Sequence, residues 1–191
     1  MGKTSQRKEM INELKAMDPE NHRVKSEAII QFLLKEEAFQ QAEVIGLTIS
    51  AFPEVDTHRL IEECWKAGKK TVVPKCEPLS RSMDFRNIDS FDQLETVYMK
   101  LQEPIIDQTE PVKPDQIDLL IVPGVVFSRD GYRIGFGGGY YDRYLTNYRG
   151  FTISLAFAAQ IKEYVPVEGH DIPVQRICTE YGCKDAGQVN G

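Results

Sequence analysis

The sequence predicts an α/β protein whose sheet is at least locally parallel. Short, β-branched and nearly unbroken apolar runs at 44–49, 71–73 and 118–122 are the pattern of strands covered on both faces. Helical patterns alternate with them. The stretch 44–73 reads as strand, helix, strand, a unit whose two strands must lie parallel.

Met10, Leu14 and Met17 are spaced for a short amphipathic helix, with Lys3 and Arg7 four apart on one side of its first turns. Asp18 then offers an N-cap with Pro19 at the first helical position, and Val24, Ala28, Ile29, Phe32 and Leu33 supply the apolar stripe of a second helix ending near Leu34. The run at 44–49 reads as a central strand. After the loop Phe52, Pro53, Glu54, Asp56 caps a helix carrying Leu60, Ile61, Cys64 and Trp65, which stops at Gly68 before the strand at 71–73. Residues 75–115 are less regular, with strand-like patches at 83–85 and 96–99 and no assignable pairing. Buried-strand runs return at 118–122 and 151–157. The polar stretch 184–191 reads as a frayed tail, leaving one domain over 1–183.

With 191 residues and 41% apolar content the chain can bury one core. No run of eighteen apolar residues occurs, and no apolar segment follows the basic start, so the chain is expected neither to span a membrane nor to be secreted. The net charge of −6 makes a general nucleic-acid surface improbable; an anion would need a local patch. Cys64, Cys76, Cys178 and Cys183 show no paired CxxC spacing and no His at ligand distance, which argues against a zinc site or a disulfide framework and for a reducing cytoplasm.

The informative stretch is 123–145, where four of the chain's fourteen glycines fall within 135–139. Residues without Cβ let the backbone turn through positive φ and bring successive N–H groups against an oxygen-rich anion, and a helix start at 140–145 follows. The bland alternative is a tight turn. The loop lacks both the Lys-Ser/Thr of a Walker loop and the spacing of a dinucleotide fingerprint. Arg129, Arg133, Arg143 and Arg149 against Asp130 and Asp142 make this segment locally positive in an acidic chain. Arg133 could clamp phosphate or be a solvated strand-end charge. Asp142 could share Mg²⁺ with phosphates, or simply favour its helix dipole. His170 and Asp171 offer a second carboxylate, and Glu54 follows a strand end, where open α/β sheets place ligands. Tyr140 and Tyr141 could wall a flat ring or pack the helix start.

Together these residues resemble the 5-formyltetrahydrofolate cyclo-ligase family. The signature is Pro-Gly, then Phe, then Gly-x-Arg-Ile-Gly-x-Gly-Gly-Gly-Tyr-Tyr-Asp-Arg-Tyr-Leu, here 123–145. Lys3 with Arg7, the string 50–57, Val73-Pro74-Lys75, Glu103-Pro104, His170-Asp171 and Thr179-Glu180 extend it over most of the chain. Leu101-Gln102 departs from the aromatic-Gly pair common at that place. The resemblance implies a three-layer α/β fold with a mostly parallel central sheet flanked by helices. It implies ATP- and Mg²⁺-dependent cyclisation of 5-formyltetrahydrofolate to 5,10-methenyltetrahydrofolate, with release of ADP and phosphate. ATP contacts would be Lys3, Arg7, Gly131, Tyr132, Arg133, Ile134, Gly135, Phe136, Gly137, Gly138 and Gly139. Folate contacts would be Ile49, Glu54, Tyr140 and the loop 136–140; Asp142 and Asp171 would hold the metal, and Arg133 would stabilise the transferring phosphoryl group. The expected partners are small molecules, without nucleic acid or membrane, and the expected state is a monomer. A non-catalytic nucleotide-binding regulator and a sugar-phosphate or acyl-transfer enzyme are the competing classes.

Overall fold

The computed structural model describes residues 1–187. In chain order it has α1 (Lys3–Lys15), α2 (Pro19–Leu34), α3 (Glu37–Gln41), β1 (Val44–Gly46), α4 (His58–Lys66), β2 (Lys70–Glu77) and β3 (Ser82–Ile88). A small hairpin of β4 (Leu94–Thr96) and β5 (Gln102–Pro104) precedes β6 (Pro111–Val112) and β7 (Leu119–Ile121). Next come β8 (Val126–Ser128), β9 (Arg133–Ile134), α5 (Tyr140–Leu145), β10 (Phe151–Leu155), β11 (Ile161–Lys162), β12 (Arg176–Thr179) and β13 (Gly182–Asp185).

The local signals act as expected at most element starts. The Asp18 carboxylate accepts from the amides of Glu20 and Asn21, both at 3.1 Å, with Pro19 at the first helical position. The stripe of α2 is rotated from the expected one: Ser26, Ile29, Ile30 and Leu33 are buried, while Val24 stands half exposed, because the helix docks on β12 and β13. The cap of α4 is Thr57, with Asp56 accepting the His58 amide at 2.9 Å.

Eight strands form the main sheet in the order β13-β12-β10-β7-β1-β2-β3-β6. The five strands from β12 to β2 are parallel, and antiparallel strands close both edges. Side chains alternate across the sheet. Val73, Leu119 and Ile121 join one core with α1, α2 and α4, whereas Val72, Leu120 and Val122 join another beneath α5. The layers are therefore helix, sheet, helix. Gly46 is required in β1, since a Cβ there would stand 2.8 Å from Leu120 Cδ1. The irregular stretch resolves into the β2–β3 antiparallel pair, running from Thr71 opposite Ile88 to Glu77 opposite Ser82. Of the patch at 96–99 only Thr96 is strand; Tyr98–Lys100 form the turn of the β4–β5 hairpin, with Met99 and Lys100 at positive φ.

Two expectations fail. The tail does not begin at Lys184: Lys184 and Asp185 pair with Ile177 and Arg176 in β13, and Arg176 also binds the Asp185 carboxylate. Residues 188–191 of the expected tail lie outside the described residues. Cys178 and Cys183 are joined in a disulfide. Hairpin pairing sets them directly opposite, a proximity that linear spacing does not reveal. Among the described residues no helix is long and apolar enough to cross a membrane.

Ile45 is fully buried at the centre of β1. Ile45→Ala is expected to cost about 2–5 kcal/mol, against about 1 kcal/mol for Asp18→Ala at the exposed cap, both read from urea unfolding midpoints.

Candidate active site

Strand order creates the first part of the site. From β1 the sheet grows toward β2 on one side and toward β7 and β10 on the other, so the loops leaving β1 and β7 diverge and open a crevice at their carboxyl ends. Thr48, Ser50 and Glu54 line it from the β1 side, Pro123 and Gly124 from the β7 side, and Gln160 from beyond β10. The enclosed space is about 30 Å³, room for a ring's edge and not for a whole bicyclic ring. The β1 loop is pinned: the Ser50 amide donates to Thr57 Oγ1 and the Thr57 amide to Ser50 Oγ, both at 2.9 Å, while Thr57 Oγ1 donates to the Thr48 carbonyl at 2.7 Å. Glu54 Oε2 accepts the Ala51 amide at 2.8 Å, and His22 Nε2 lies 2.8 Å from the Glu54 carbonyl oxygen. Burial pushes the Glu54 carboxyl above its usual range, only partly opposed by the Ala51 N–H. Ile49, expected as a ligand contact, is buried in the core under α1 and α2 and supports the loop from below.

The β8–β9 hairpin delivers the glycine loop. Gly131 turns at φ +88° with the Val174 amide donating to its carbonyl at 3.0 Å. Gly131, Arg133 and Ile134 are buried and Tyr132 is half-buried, so the exposed stretch is 135–139. Gly137 and Gly139 have φ of +106° and +71°, and a Cβ on Gly138 would stand 2.5 Å from the Tyr140 ring. None of the five amides from Gly135 to Gly139 donates to an acceptor among the described residues. Arg7 reaches across from α1, its Nε donating to the Gly135 carbonyl at 2.7 Å. Phe136 is half exposed at the loop's crest.

Beside the loop, Arg133 is neither a solvated charge nor an open clamp. Its side chain is 3% exposed; Nη1 donates to the Ile172 carbonyl at 2.8 Å and Nη2 to Asp142 Oδ1 at 3.1 Å. Burial lowers its pKa, and the Asp142 carboxylate opposes that shift. The Ile172 amide also donates to Asp142 Oδ1, at 3.2 Å, so Asp142 on α5 is tied to the residue following Asp171. Oδ2 of Asp142 has no partner among the described residues. Lys3 Nζ binds Asp171 Oδ2 at 2.6 Å and Glu168 Oε2 at 2.7 Å. Burial raises the Asp171 pKa, but Lys3 and the Glu168 amide outweigh it and hold the carboxyl below the usual range. Ligand atoms of Glu168, His170 and Asp171 lie within 4.8 Å of one another. Asp142 stands outside that group and is linked to it through the Ile172 amide.

Sequence reasoning missed several groups. Gln160 is buried, donating to the Val125 carbonyl at 3.0 Å and accepting the Phe157 amide at 2.7 Å; a lone carboxamide closing the apolar run at 155–159 was its one signal. Thr57 and His22 secure the Glu54 loop. Arg81 Nη1 approaches the Gly138 carbonyl at 3.4 Å, and without the β2–β3 pairing nothing brings that turn to the loop.

The model of the 5-formyltetrahydrofolate cyclo-ligase family matches residues 1–180. The chain is 31% identical over 169 residues to the 5-formyltetrahydrofolate cyclo-ligase of Escherichia coli K12, covering 86% of this chain and 93% of that one. It is 29% identical over 185 residues to the mouse protein of the same name, covering 91% of each. Among solved structures, the 5,10-methenyltetrahydrofolate synthetase of Aquifex aeolicus superposes with a TM-score of 0.86 at 30% identity, covering 100% of this chain and 96% of that one.

Arg133→Ala strips the counter-charge from Asp142 and the donor from Ile172. It is expected to cost about 3–5 kcal/mol, and Asp142→Asn, which keeps an acceptor but leaves the Arg133 charge buried without a counter-ion, is expected to cost about as much. A urea midpoint for Arg133→Ala within the range of a surface substitution would remove the pinning role.

Proposed function

The chain belongs to the 5-formyltetrahydrofolate cyclo-ligase family, and on that premise we propose that it converts 5-formyltetrahydrofolate to 5,10-methenyltetrahydrofolate with ATP consumed to ADP and phosphate. The observation that carries this is the row of undonated amides at 135–139, flanked by Arg7 and a carboxylate corner and standing near the Glu54 crevice. A formamide carbonyl is a poor electrophile, so its oxygen must become a leaving group before a ring can close. In the proposed sequence the formyl oxygen takes the γ-phosphoryl group in line and ADP leaves. N10 then attacks the activated carbon, gives up its proton, and phosphate departs with the former formyl oxygen.

The chain's own groups act by position and charge. The loop amides and Arg7 hold the phosphates. Glu54 accepts from the amino and ring N–H groups at a pterin edge, which suits a crevice that admits an edge. Phe136 and Tyr140 flank the ring system. Arg133, buried and engaged through one N–H on each terminal nitrogen, holds Asp142 in place, and its remaining N–H groups can meet the phosphoryl charge. The donor set suits magnesium: the free Oδ2 of Asp142 and the carboxylate of Asp171 give the one or two carboxylate ligands that ion takes beside phosphate oxygens. Bound there, Mg²⁺ supplies positive charge against those oxygens.

Purified protein mixed with 5-formyltetrahydrofolate, ATP and Mg²⁺ should develop the near-ultraviolet absorbance of the methenyl product; tight ATP binding without that change would point instead to a non-catalytic nucleotide binder. Glu54→Gln should raise KM for the folate about tenfold to a hundredfold, the worth of a hydrogen bond to a charged group. The same variant has a pH signature. Because the Glu54 pKa is raised on folding, the native state holds that proton longer than the unfolded chain, and stability is lost as pH rises from the unfolded value through the folded one. Thermal melts of Glu54→Gln across about pH 5–8 should therefore fall less steeply with pH than those of the parent. Gly137→Ala, forced to φ +106°, should raise KM for ATP about tenfold, with the folate KM as the control.

A further inference from the structure

We propose that the cavity between the β2–β3 turn and α5 is a second anion subsite, built to take the glutamyl carboxylates of the folate; this rests on the folate reading above. The cavity encloses about 300 Å³ and is walled by Ser80, Arg81 and Ser82 of the turn and by Arg143, Tyr144 and Asn147 on and after α5. These walls supply two guanidiniums, a carboxamide and hydroxyls, a donor-rich set suited to planar, bidentate carboxylate recognition.

Neither guanidinium has a carboxylate within 4.0 Å among the described residues, although Arg23, Arg59, Arg133 and Arg176 all do. Two cations sharing a cavity without a counter-ion concentrate positive potential in a chain of net charge −6. The acidic group that acts on the Tyr144 hydroxyl is Asp84. That hydroxyl is buried and has no hydrogen-bond partner among the described residues, so Tyr144 offers the cavity the side of its ring. Arg81 sits at φ +54°, where glycine or asparagine would be unstrained, and its guanidinium touches the glycine loop only through the 3.4 Å contact to the Gly138 carbonyl.

Charge placement selects the anion. The loop has two cationic flanks: Arg7 approaches at Gly135 and Gly137 from α1, and Arg81 approaches at Gly138 from the hairpin. The proposed phosphates occupy the first. The substrate's other anionic end, the α- and γ-carboxylates of its glutamate, matches the second. Helix α5 joins the two places. Tyr141 lies in the field of Glu54 and Cys76, and Tyr144, about 4.5 Å further along the helix axis, lines the cavity. The proposal lays the ligand's tail along α5, with the pterin edge at Glu54 and the carboxylates at Arg81 and Arg143.

The test compares 5-formyltetrahydrofolate with the same pterin lacking glutamate, 5-formyltetrahydropteroate, in the parent, Arg81→Asn and Arg143→Ala. Asparagine tolerates the Arg81 backbone conformation. In the parent the glutamate should lower KM about tenfold or more, and in each variant that ratio should collapse toward one. A ratio preserved in both variants overturns the subsite while leaving the cyclo-ligase reading standing; a variant that raises KM for ATP instead assigns the cavity to nucleotide phosphate and also overturns it. Should the parent show no turnover, the functional reading fails separately, and titration calorimetry on the full chain with γ-linked triglutamate and with inorganic phosphate decides the subsite. Triglutamate binding that is lost in Arg81→Asn supports it; binding of phosphate alone, or of neither, overturns it.

Discussion

A buried guanidinium fixes the geometry on which the rest of the candidate site depends. Arg133 leaves β9 and is held between the Ile172 carbonyl and the Asp142 carboxylate. One side chain thus ties together the strand before the glycine loop, the helix after it, and the segment carrying Asp171. An arginine with 3% exposure survives because its charge is paired and both of its terminal nitrogens are hydrogen-bonded. The neighbouring loop can then leave its own amides unsatisfied, because its two ends are held from beneath and its path does not rely on bonds within the loop.

The crevice has a different origin. Parallel strands that fan outward from β1 and β7 must separate the loops at their carboxyl ends, and here one of those loops brings a carboxylate that burial has made reluctant to ionise. The Ser50–Thr57 pair of reciprocal bonds keeps Glu54 from swinging out into water. A switch in strand order, a clamped loop and a pinned glycine turn thus converge on one edge of the sheet, each for a separate physical reason.

Much of this was legible in the residues. Asp18-Pro19 marked a helix start because cap and proline act locally, and the run at 118–122 marked a two-faced strand because burial on both sides admits no polar alternation. The helix at 140–145 stood out behind its glycines, and the signature around it pointed to the family. What stayed hidden was set by tertiary pairing. The sequence shows Arg133 beside glycines, not the Ile172 carbonyl that draws it inward from a position 39 residues later. Cys178 and Cys183 look unrelated until the hairpin places them opposite each other, and Lys184 looks like tail until it becomes the strand's partner to Ile177. Ile49, which the resemblance implies as a folate contact, lies in the extended segment after β1 with its side chain in the core. Arg81 carried no signal, since its reach depends on a β2–β3 register that irregular, Pro-containing sequence obscures.

Helix α1 offers little to the core beyond Met10 and Leu14, yet it carries the two cations that reach Gly135 and Asp171. Such a lightly seated element can lift away while the sheet beneath stays folded. Warming or mild denaturant would then silence the protein before its main cooperative melt, and amide protons of the first helix would exchange well ahead of those in β1 and β7. Any small molecule that bridges α1 to the glycine turn would act as a staple, firming the part of the molecule that is otherwise first to loosen.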